Sequence, residues 1–472
     1  PNSNKPLHLG HLRNIALGES MANIFEYIGN KVIRVNLNND KGMPICKTML
    51  AYQKFANDKT PKSENKKSDH FVGDLYVLYN EKAKQDPSLE EKARELLKLQ
   101  EAGDKKTIEL WKKIINWALS GYNETYKIFG TKFNKEYYES EIYQSGKEIV
   151  MKGLKDGIFE KRRDGAIIIN LGIIGNDNLG EKVLLREDGT SVYITQDLEL
   201  ARIKTKEFHP DLLINVVGNE HDYHFKVLYE ILKKLGNKEE NYHLSYGLIS
   251  LPEGKMKSRE GNVIDADDII NDVKEMAKNN LESRKKLSKK ELEEKSLIIA
   301  LAAIKYSLLK IEAAKNFMFN PKESINFEGN TGPYLQYSYA RAGSIIKKFS
   351  KNFSLLKSSM VKTQNIKYDF KIKKSKSKKS LVISENFTKE ELQLLSQISK
   401  FSDAVENSAK YMNPAIIANY AYQLAKYFNE FYHANPVIGS KEESFRLKLI
   451  SAFRIVLKNS LHLLGIDVME EM

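Results

Sequence analysis

The beginning of the chain most constrains its fold because a polar turn, an amphipathic helix and a strand follow one another there. An extended start ends at Pro6, and apolar residues then keep helical spacing from Leu12 to Phe25 until Gly29 interrupts them. Residues 31–37 alternate in polarity and are rich in β-branched side chains, which is typical of a strand. This order predicts a Rossmann-type parallel sheet, whose ligands collect at the carboxyl ends of the strands.

His8 and His11 stand at the entrance to the first helix. Unpaired backbone N–H groups and the positive end of the helix dipole favour an anion there, and the two imidazoles add donors for a polyphosphate. Gly10 lies between them and leaves room for a flat ring such as adenine. Ordinary capping or packing histidines are the alternative. A metal site is not expected, because the chain has one cysteine, Cys46, and no second ligand pair at metal-binding spacing.

A second candidate for phosphate binding is the basic, glycine-bounded loop at 254–262, which we call the lysine loop. It follows a predicted strand at 246–251 and precedes a helix predicted to start near Asp265. Lys255 and Lys257 could close on a leaving pyrophosphate and neutralise its charge. A basic loop alone is more often a solvated turn, so the phosphate role depends on its pairing with the two histidines.

The two motifs together resemble those of class I aminoacyl-tRNA synthetases. Residues 8–11 resemble the HIGH motif of that class, and residues 255–259 resemble its KMSKS loop. Further stretches resemble arginyl-tRNA synthetases in particular, namely 2–13, 193–197, 330–337 and 464–472. The resemblance spans essentially the whole chain. It implies ATP-dependent ligation of L-arginine to tRNA(Arg) through an arginyl-adenylate, with ATP and Mg²⁺ as cofactors and often with activation only when tRNA is bound.

The resemblance and the order of elements predict an α/β catalytic domain of Rossmann type with a helical insertion, followed by an all-α anticodon-binding bundle. The expected parts are a first catalytic half at 1–47, a mostly helical insertion at 48–160, a second half with the lysine loop at 161–264, a helical connector at 265–329 and the anticodon-binding domain at 330–472. Residues 351–380 hold ten lysines against one aspartate, so we expect a flexible basic tract there. The family commonly carries a further N-terminal domain, which we expect to be absent here.

A pocket for arginine is predicted where short strands lead into a helix. The strands are predicted at 166–171, 182–185, 191–194 and 211–218. A guanidinium group is planar and always cationic, so a selective pocket needs at least one carboxylate. Asp197, one helical turn after Tyr193, could supply it, and the family places both around the substrate. The alternative is a helix N-terminal charge.

The resemblance also assigns roles to individual positions. Catalysis is expected from His8, His11, Lys5, Lys255 and Lys257. Lys5 is included because a lysine upstream of the HIGH-like motif is thought to replace a missing lysine of the loop. ATP contacts are expected from His8, Gly10, His11, Gly218, Glu220, Lys255, Met256 and Ser258. Arginine contacts are expected from Asn2, His11, Tyr193, Asp197 and His221, the last standing where the family commonly has glutamine. Contacts with tRNA are expected from Tyr334, Gln336, Tyr337, Asn419 and Tyr420.

Composition agrees with this interpretation. A net charge of +13 suits a polyanionic partner such as tRNA. A single cysteine fits a reducing cytoplasm, and a run of about 18 apolar residues that could cross a membrane is not found. We expect a cytoplasmic monomer. Two other hypotheses remain open at this point, a class I synthetase for another amino acid and a catalytically silent tRNA-binding module.

Overall fold

The computed structural model describes residues 1–142, 145–174, 177–252, 265–283, 287–360 and 387–472. The whole lysine loop lies outside this set together with residues 253, 263 and 264, as do residues 361–380 of the basic tract. The predicted phosphate contacts of the loop are therefore outside the described residues, namely Lys255, Met256, Lys257 and Ser258.

Helices dominate the chain, and the strands between them are short. The helices are α1 (Leu9–Tyr27), α2 (Met43–Phe55), α3 (Ser68–Gln85), α4 (Ser88–Glu101), α5 (Lys105–Phe129), α6 (Glu139–Ile142), α7 (Gly146–Lys155), α8 (Tyr193–Phe208), α9 (Asp222–Lys234), α10 (Ala266–Glu282), α11 (Lys289–Leu309), α12 (Pro321–Ser324), α13 (Gly332–Met360), α14 (Lys389–Ser399), α15 (Phe401–Lys410), α16 (Ala415–Ala434) and α17 (Glu443–Leu463). The strands are β1 (Val35–Asn38), β2 (Lys135–Tyr138), β3 (Glu160–Lys161), β4 (Ile167–Asn170), β5 (Ile173–Ile174), β6 (Asp177–Asn178), β7 (Glu181–Leu185), β8 (Leu212–Gly218), β9 (Glu240–Tyr246), β10 (Ile249–Ser250) and β11 (Phe317–Met318). Within the described ranges, none of the helices combines the length and the apolar character needed to cross a lipid bilayer.

The chain divides into two compact units. Unit 1 comprises Pro1–Ala22, Asn30–Asp272 and Ile311–Asn320, and unit 2 comprises Asn23–Gly29, Val273–Lys310 and Pro321–Met472. The predicted connector at 265–329 is therefore shared between the units. Its helix α11 belongs to unit 2 because it packs closely on α13, where a Cβ atom at Gly332 would lie 2.2 Å from the carbonyl oxygen of Ala302.

Parallel strand pairs form the α/β part of unit 1. β1 pairs with β2 and β8 pairs with β9, both in parallel. Apolar and β-branched residues make up most of β8, which confirms the strand predicted at 211–218. The segment before α1 extends the edge of β1, since Asn2 forms a parallel bridge with Asn39. The N-terminal residues therefore lie at the carboxyl end of β1, where ligands are expected to collect.

The helices α2 to α5 form a separate apolar core within the segment that was predicted to be mostly helical. The buried side chains include Met49, Val72, Leu75, Tyr79 and Ile114. α5 starts after Asp104, whose carboxylate accepts the backbone N–H of Thr107 at 2.9 Å, and ends at Gly130 in the left-handed region, with φ of 79°. The sequence analysis did not anticipate β2, which follows α5.

Two predicted strands are wrong in position. Residues 191–194 were expected to be a strand, but α8 begins at Tyr193, and Ser191 makes only an isolated bridge. The strand predicted at 246–251 is interrupted at Gly247, where the chain runs against residues 315 and 316 so closely that a Cβ atom would lie 2.7 Å from backbone atoms. In both places tertiary contacts outweigh the local alternation.

Unit 2 is all α-helical in its described part, as predicted. Its core includes Phe428, stacked on Phe453 with ring centroids 4.0 Å apart. α13 continues to Met360, so the first ten residues of the basic tract are helical rather than a flexible connection. The tract was predicted from composition alone, and lysine-rich sequence is compatible with helix.

Unit 2 contains a buried ion pair. Arg446 Nε lies 2.8 Å from Glu391 Oε1, and the two side chains are 10% and 2% exposed. We expect Glu391→Gln to lower the free energy of unfolding by about 3 kcal/mol, because it leaves the Arg446 cation buried without its counter-ion. Urea unfolding followed by circular dichroism measures this change. The exposed pair between Lys426 and Glu430, 3.9 Å apart, is the control, and Glu430→Gln should cost less than about 0.5 kcal/mol. Equal effects of the two substitutions would contradict the prediction.

Candidate functional site

The start of α1 fixes the two histidines through their backbone. The N–H of His8 donates to Nδ1 of His11, and the N–H of Gly10 donates to Nδ1 of His8, both at 3.1 Å. Because each Nδ1 accepts a hydrogen bond, the proton of each neutral ring is on Nε2. The rings lie close together, with centroids 3.8 Å apart. The two histidines therefore each keep an Nε2–H donor for a ligand.

Burial keeps both imidazoles uncharged at neutral pH. It lowers the pKa of His8 to about 4, with a smaller contribution from the charge of Lys5, and it lowers the pKa of His11 well below its usual value. The site therefore offers neutral N–H donors rather than two cations. Such donors can follow the change in charge of a reacting phosphate without a proton transfer of their own.

The shifted pKa of His8 predicts how stability depends on pH. The folded chain binds a proton at His8 with a pKa of about 4, whereas a histidine in the unfolded chain has its ordinary pKa of about 6.5, so the wild-type chain loses stability as the pH falls from about 6.5 to about 4. His8→Asn should reduce that loss by roughly 2 kcal/mol. Urea unfolding at pH 7.5 and pH 5 for both proteins measures it. An identical pH dependence in the two proteins would refute the shift.

Gly10 lies against the imidazole of His8. A Cβ atom at this position would lie 3.0 Å from Cε1 of His8, closer than nearly all such contacts. The imidazole of His8 therefore occupies the space beside Gly10, where the sequence analysis expected room for adenine.

The segment before α1 is held by the insertion helices. The hydroxyl group of Tyr122 lies 2.7 Å from the carbonyl oxygen of Asn2 and 2.5 Å from that of Lys5. The side chain of Lys5 is exposed and places Nζ over the ring of Tyr76, 5.3 Å from its centroid. Asn2 also pairs with Asn39 at the end of β1. The backbone of this segment is thus fixed while the predicted ligand contacts Asn2 and Lys5 face outward.

An acidic pocket lies beside Asn39. Its cavity of about 110 Å³ is lined by Leu37, Asn39, Glu139, Ile142, Tyr193, Gln196, Asp197 and Leu200. The predicted pair Tyr193 and Asp197 is therefore in one pocket, with Tyr193 75% exposed. The pocket also brings in a second carboxylate, Glu139, which the sequence analysis missed.

Glu139 has the electrostatic signature of a ligand contact. Burial raises its pKa to about 7, helped by the negative charges of Asp40 and Asp197. Its Oε2 atom is buried and has no hydrogen-bond partner among the described residues. Recognition of β2 as a strand parallel to β1 would have revealed this residue, because Glu139 directly follows the carboxyl end of β2.

Asp197 has a partner that was not predicted. Nε2 of His224 lies 2.6 Å from Oδ2 of Asp197. His221, the predicted arginine contact, is instead about half exposed, and the carboxylate of Glu220 lies 4.0 Å from it. Gly218 ends β8 close to Glu220, since a Cβ atom there would lie 2.3 Å from Oε2 of that residue. The three predicted residues 218, 220 and 221 thus lie together at the carboxyl end of β8, while His224 contacts the pocket.

Unit 2 places the predicted tRNA contacts in two environments. Gln336 is fully buried, and its amide donates to the carbonyl oxygen of Asp467 at 2.7 Å. The hydroxyl group of buried Tyr420 donates to the carbonyl oxygen of Gln397 at 2.8 Å. The polar groups of both side chains form hydrogen bonds inside unit 2, and this does not fit the predicted contact with tRNA. The remaining candidates are exposed or half-buried, namely Tyr334, Tyr337 and Asn419.

The chain matches known proteins along its whole length. Residues 1–321 match the model of the class I tRNA synthetase (R) catalytic domain, and residues 335–472 match that of the DALR anticodon binding domain. The arginine–tRNA ligase of Treponema denticola is 44% identical over 482 residues, covering the whole chain and 78% of that protein. The arginine–tRNA ligase of Borrelia hermsii is 44% identical over 483 residues, with the same coverage.

A solved structure agrees with these sequence matches. The arginyl-tRNA synthetase of Thermus thermophilus has a TM-score of 0.81 and 26% identity, covering the whole of this chain and 81% of the other. The two family models cover both the catalytic part and the helical part of the chain. The two arginine–tRNA ligases, at 44% identity, are well above the level at which only a fold is shared. The chain therefore belongs to the arginyl-tRNA synthetase family.

Proposed function

We propose that this chain attaches L-arginine to tRNA(Arg) with ATP, through an arginyl-adenylate. The observation that carries the proposal is the acidic pocket, in which two carboxylates, Glu139 and Asp197, line one small cavity. That pocket shares Asn39 with the edge that holds Asn2, close in sequence to the two histidines. A site for a cation and a site for an anion are thus built from one N-terminal segment and the end of β1.

The pocket suits a guanidinium group. Two carboxylates can accept several of its five N–H donors, and an incoming cation would favour the ionised form of Glu139, whose pKa is raised to about 7 by burial and by the neighbouring carboxylates. The exposed ring of Tyr193 offers a face on which a planar guanidinium can stack. A lysine ammonium group lacks the planar set of N–H donors that matches two carboxylates, and it cannot stack as a flat group on the ring of Tyr193. Asn2 and His221 remain proposed contacts to the rest of the amino acid.

The first reaction step would join the arginine carboxylate to the α-phosphorus of ATP and break the bond to the leaving pyrophosphate. His8 and His11 would donate from Nε2 to the phosphate oxygens as negative charge builds. Lys5 and the loop residues Lys255, Met256, Lys257 and Ser258 are proposed phosphate contacts, and Gly218 and Glu220 are proposed nucleotide contacts. Mg²⁺ would accompany the phosphates and offset their charge.

The second step would transfer the arginyl group to a hydroxyl group of the terminal ribose of tRNA and release AMP. Tyr334, Tyr337 and Asn419 of unit 2 are proposed tRNA contacts. We further propose that arginine activation requires bound tRNA. Exchange of pyrophosphate into ATP, measured with and without tRNA(Arg), tests this, and full exchange without tRNA would refute it. A monomeric, cytoplasmic enzyme is proposed as well, consistent with a single buried cysteine, Cys46.

Aminoacylation tests the function directly. The purified chain, ATP, Mg²⁺ and tRNA(Arg) should form arginyl-tRNA and AMP in equal amounts when arginine is supplied. Preferential charging with another amino acid would favour a class I synthetase of different specificity. Binding of tRNA without any AMP formation would favour the silent tRNA-binding module.

A further inference from the structure

A cluster of charged side chains outside both sites lies where α3 and α5 meet the start of α10. Nζ of Lys67 is 2.7 Å from Oδ2 of Asp267 and 3.3 Å from Oδ2 of Asp69, and Nε2 of His70 is 2.8 Å from the same oxygen of Asp267. Nδ1 of His70 is 3.6 Å from Asp265. The Asp69 side chain is only 1% exposed. Buried ion pairs add little net stability, so this cluster calls for another role.

Helix α5 contacts these charged side chains through a hydroxyl group and through a position without a side chain. The hydroxyl group of Thr125 accepts a hydrogen bond from Lys67 at 2.5 Å and donates to Oδ1 of Asp267 at 3.1 Å. A Cβ atom at Gly121 would lie 2.2 Å from Oδ1 of Asp69. The position of Asp267, in the first turn of α10, is therefore tightly defined relative to α3 and α5.

The cluster is connected to the catalytic segment through the backbone. The N–H of Ala266 donates to the carbonyl oxygen of Leu7 at 2.8 Å, and Asp265 forms an antiparallel bridge with His8. Ala266 lies between Asp265 and Asp267, which the cluster holds. A displacement of Asp267 would therefore be transmitted to His8 through Ala266 and Asp265.

A metal ion is an alternative occupant of the cluster. Ligand atoms of Asp69, His70 and Asp267 lie within 4.8 Å of one another, a spacing that an ion could use. The ammonium group of Lys67 already lies within 3.3 Å of both carboxylates and supplies the positive charge. Hydrogen bonds from His70 and Lys67 outweigh the effect of burial and lower the pKa of Asp267 to about 2, while the bond to Asp267 raises the pKa of His70. Within the described residues the cluster is therefore an ion-pair network centred on Asp267, and the buried Oδ1 atom of Asp69 has no hydrogen-bond partner in it.

We propose that Lys67, His70 and Asp267 form a positioning clamp that holds His8 in the geometry required for adenylate formation. None of the three is a catalytic residue, because they act through Ala266 and Asp265. The inference rests on the proposed phosphate role of His8. A misplacement of the order of 1 Å at a reacting group can lower a rate about 10²-fold, so a remote clamp can have a large effect.

Steady-state aminoacylation with separate kcat and KM values tests the clamp. Asp267→Asn should lower kcat about 10- to 100-fold while the KM for arginine changes less than about twofold, because the acidic pocket is untouched. Lys67→Met should do the same, and Lys67→Arg should restore most of the rate by keeping the cation. Asp74→Asn is the matched control, since the partly buried Asp74 of α3 pairs with Lys66 outside the cluster, and the substitution should leave kcat unchanged.

A double-mutant cycle separates positioning from general loosening of the fold. In a His8→Ala background, Asp267→Asn should lower kcat less than about threefold, because the group that the clamp positions is gone. A full additional loss in that background would overturn the proposal. If Asp267→Asn does not fold, the pair Lys67→Met and Lys67→Arg decides, and equal kcat values for both would overturn it. Normal arginylation by all clamp variants would refute the clamp alone, whereas an inactive wild-type chain would refute the proposed function with it.

Discussion

Asp197→Asn is expected to lower kcat/KM for arginine by about 10²- to 10³-fold and to leave the KM for ATP within about twofold. The substitution keeps the shape of the side chain but removes the negative charge that is proposed to pair with the guanidinium group. It also leaves His224, 2.6 Å away, without its carboxylate partner. Aminoacylation at varied arginine and saturating ATP measures the change.

A matched set of variants makes this test specific. Glu139→Gln should give a loss of similar size, because both carboxylates line the same cavity. The double variant should lose less than the product of the two single effects, since the two groups bind one cation. Asp188→Asn, in an exposed turn before α8, should have no effect. Normal arginine kinetics in Asp197→Asn would exclude this pocket as the arginine site.

His11→Ala is expected to lower kcat by about 10²- to 10³-fold, the usual cost of losing one hydrogen-bond donor to a developing charge. In the wild-type chain Nδ1 of His11 accepts the N–H of His8, so Nε2–H is the donor that remains for a phosphate oxygen. The substitution removes this donor. His11→Gln can still donate an N–H and should lose less. Single-turnover formation of the adenylate isolates the affected step.

The control for this prediction is a histidine outside the site. His209 ends α8 in the left-handed region, with φ of 46°, and Asn adopts that conformation readily. His209→Asn should therefore keep the wild-type rate. A His11→Ala enzyme with normal single-turnover kinetics would show that the imidazole takes no part in adenylate formation.

The parts of the site that depend on local sequence were predictable. The spacing of His8 and His11 at a helix start and the i, i+4 pair of Tyr193 and Asp197 both survive in the structure. The resemblance, rather than composition or periodicity, supplied the substrate and the all-α anticodon-binding unit.

The parts of the site that were not predicted depend on contacts between segments that are distant in the sequence. Glu139 belongs to the pocket only because β2 pairs with β1 across an insertion of four helices, and His224 reaches Asp197 from another helix. Gln336 and Tyr420 were expected from the resemblance to contact tRNA, but both form hydrogen bonds inside unit 2. Pairing and packing of this kind leave no periodic signal in the sequence.

The ratio of kcat/KM for arginine to that for citrulline tests the central claim most directly. Citrulline has nearly the same shape as arginine but a neutral ureido group, so its carbonyl oxygen would face the carboxylates of Glu139 and Asp197. A pocket that selects a cation should favour arginine by at least about 10³-fold, because a neutral ureido group cannot form ion pairs with the two carboxylates and its carbonyl oxygen would face them. Comparable charging of tRNA(Arg) with the two amino acids would contradict the assignment of this pocket to the guanidinium group.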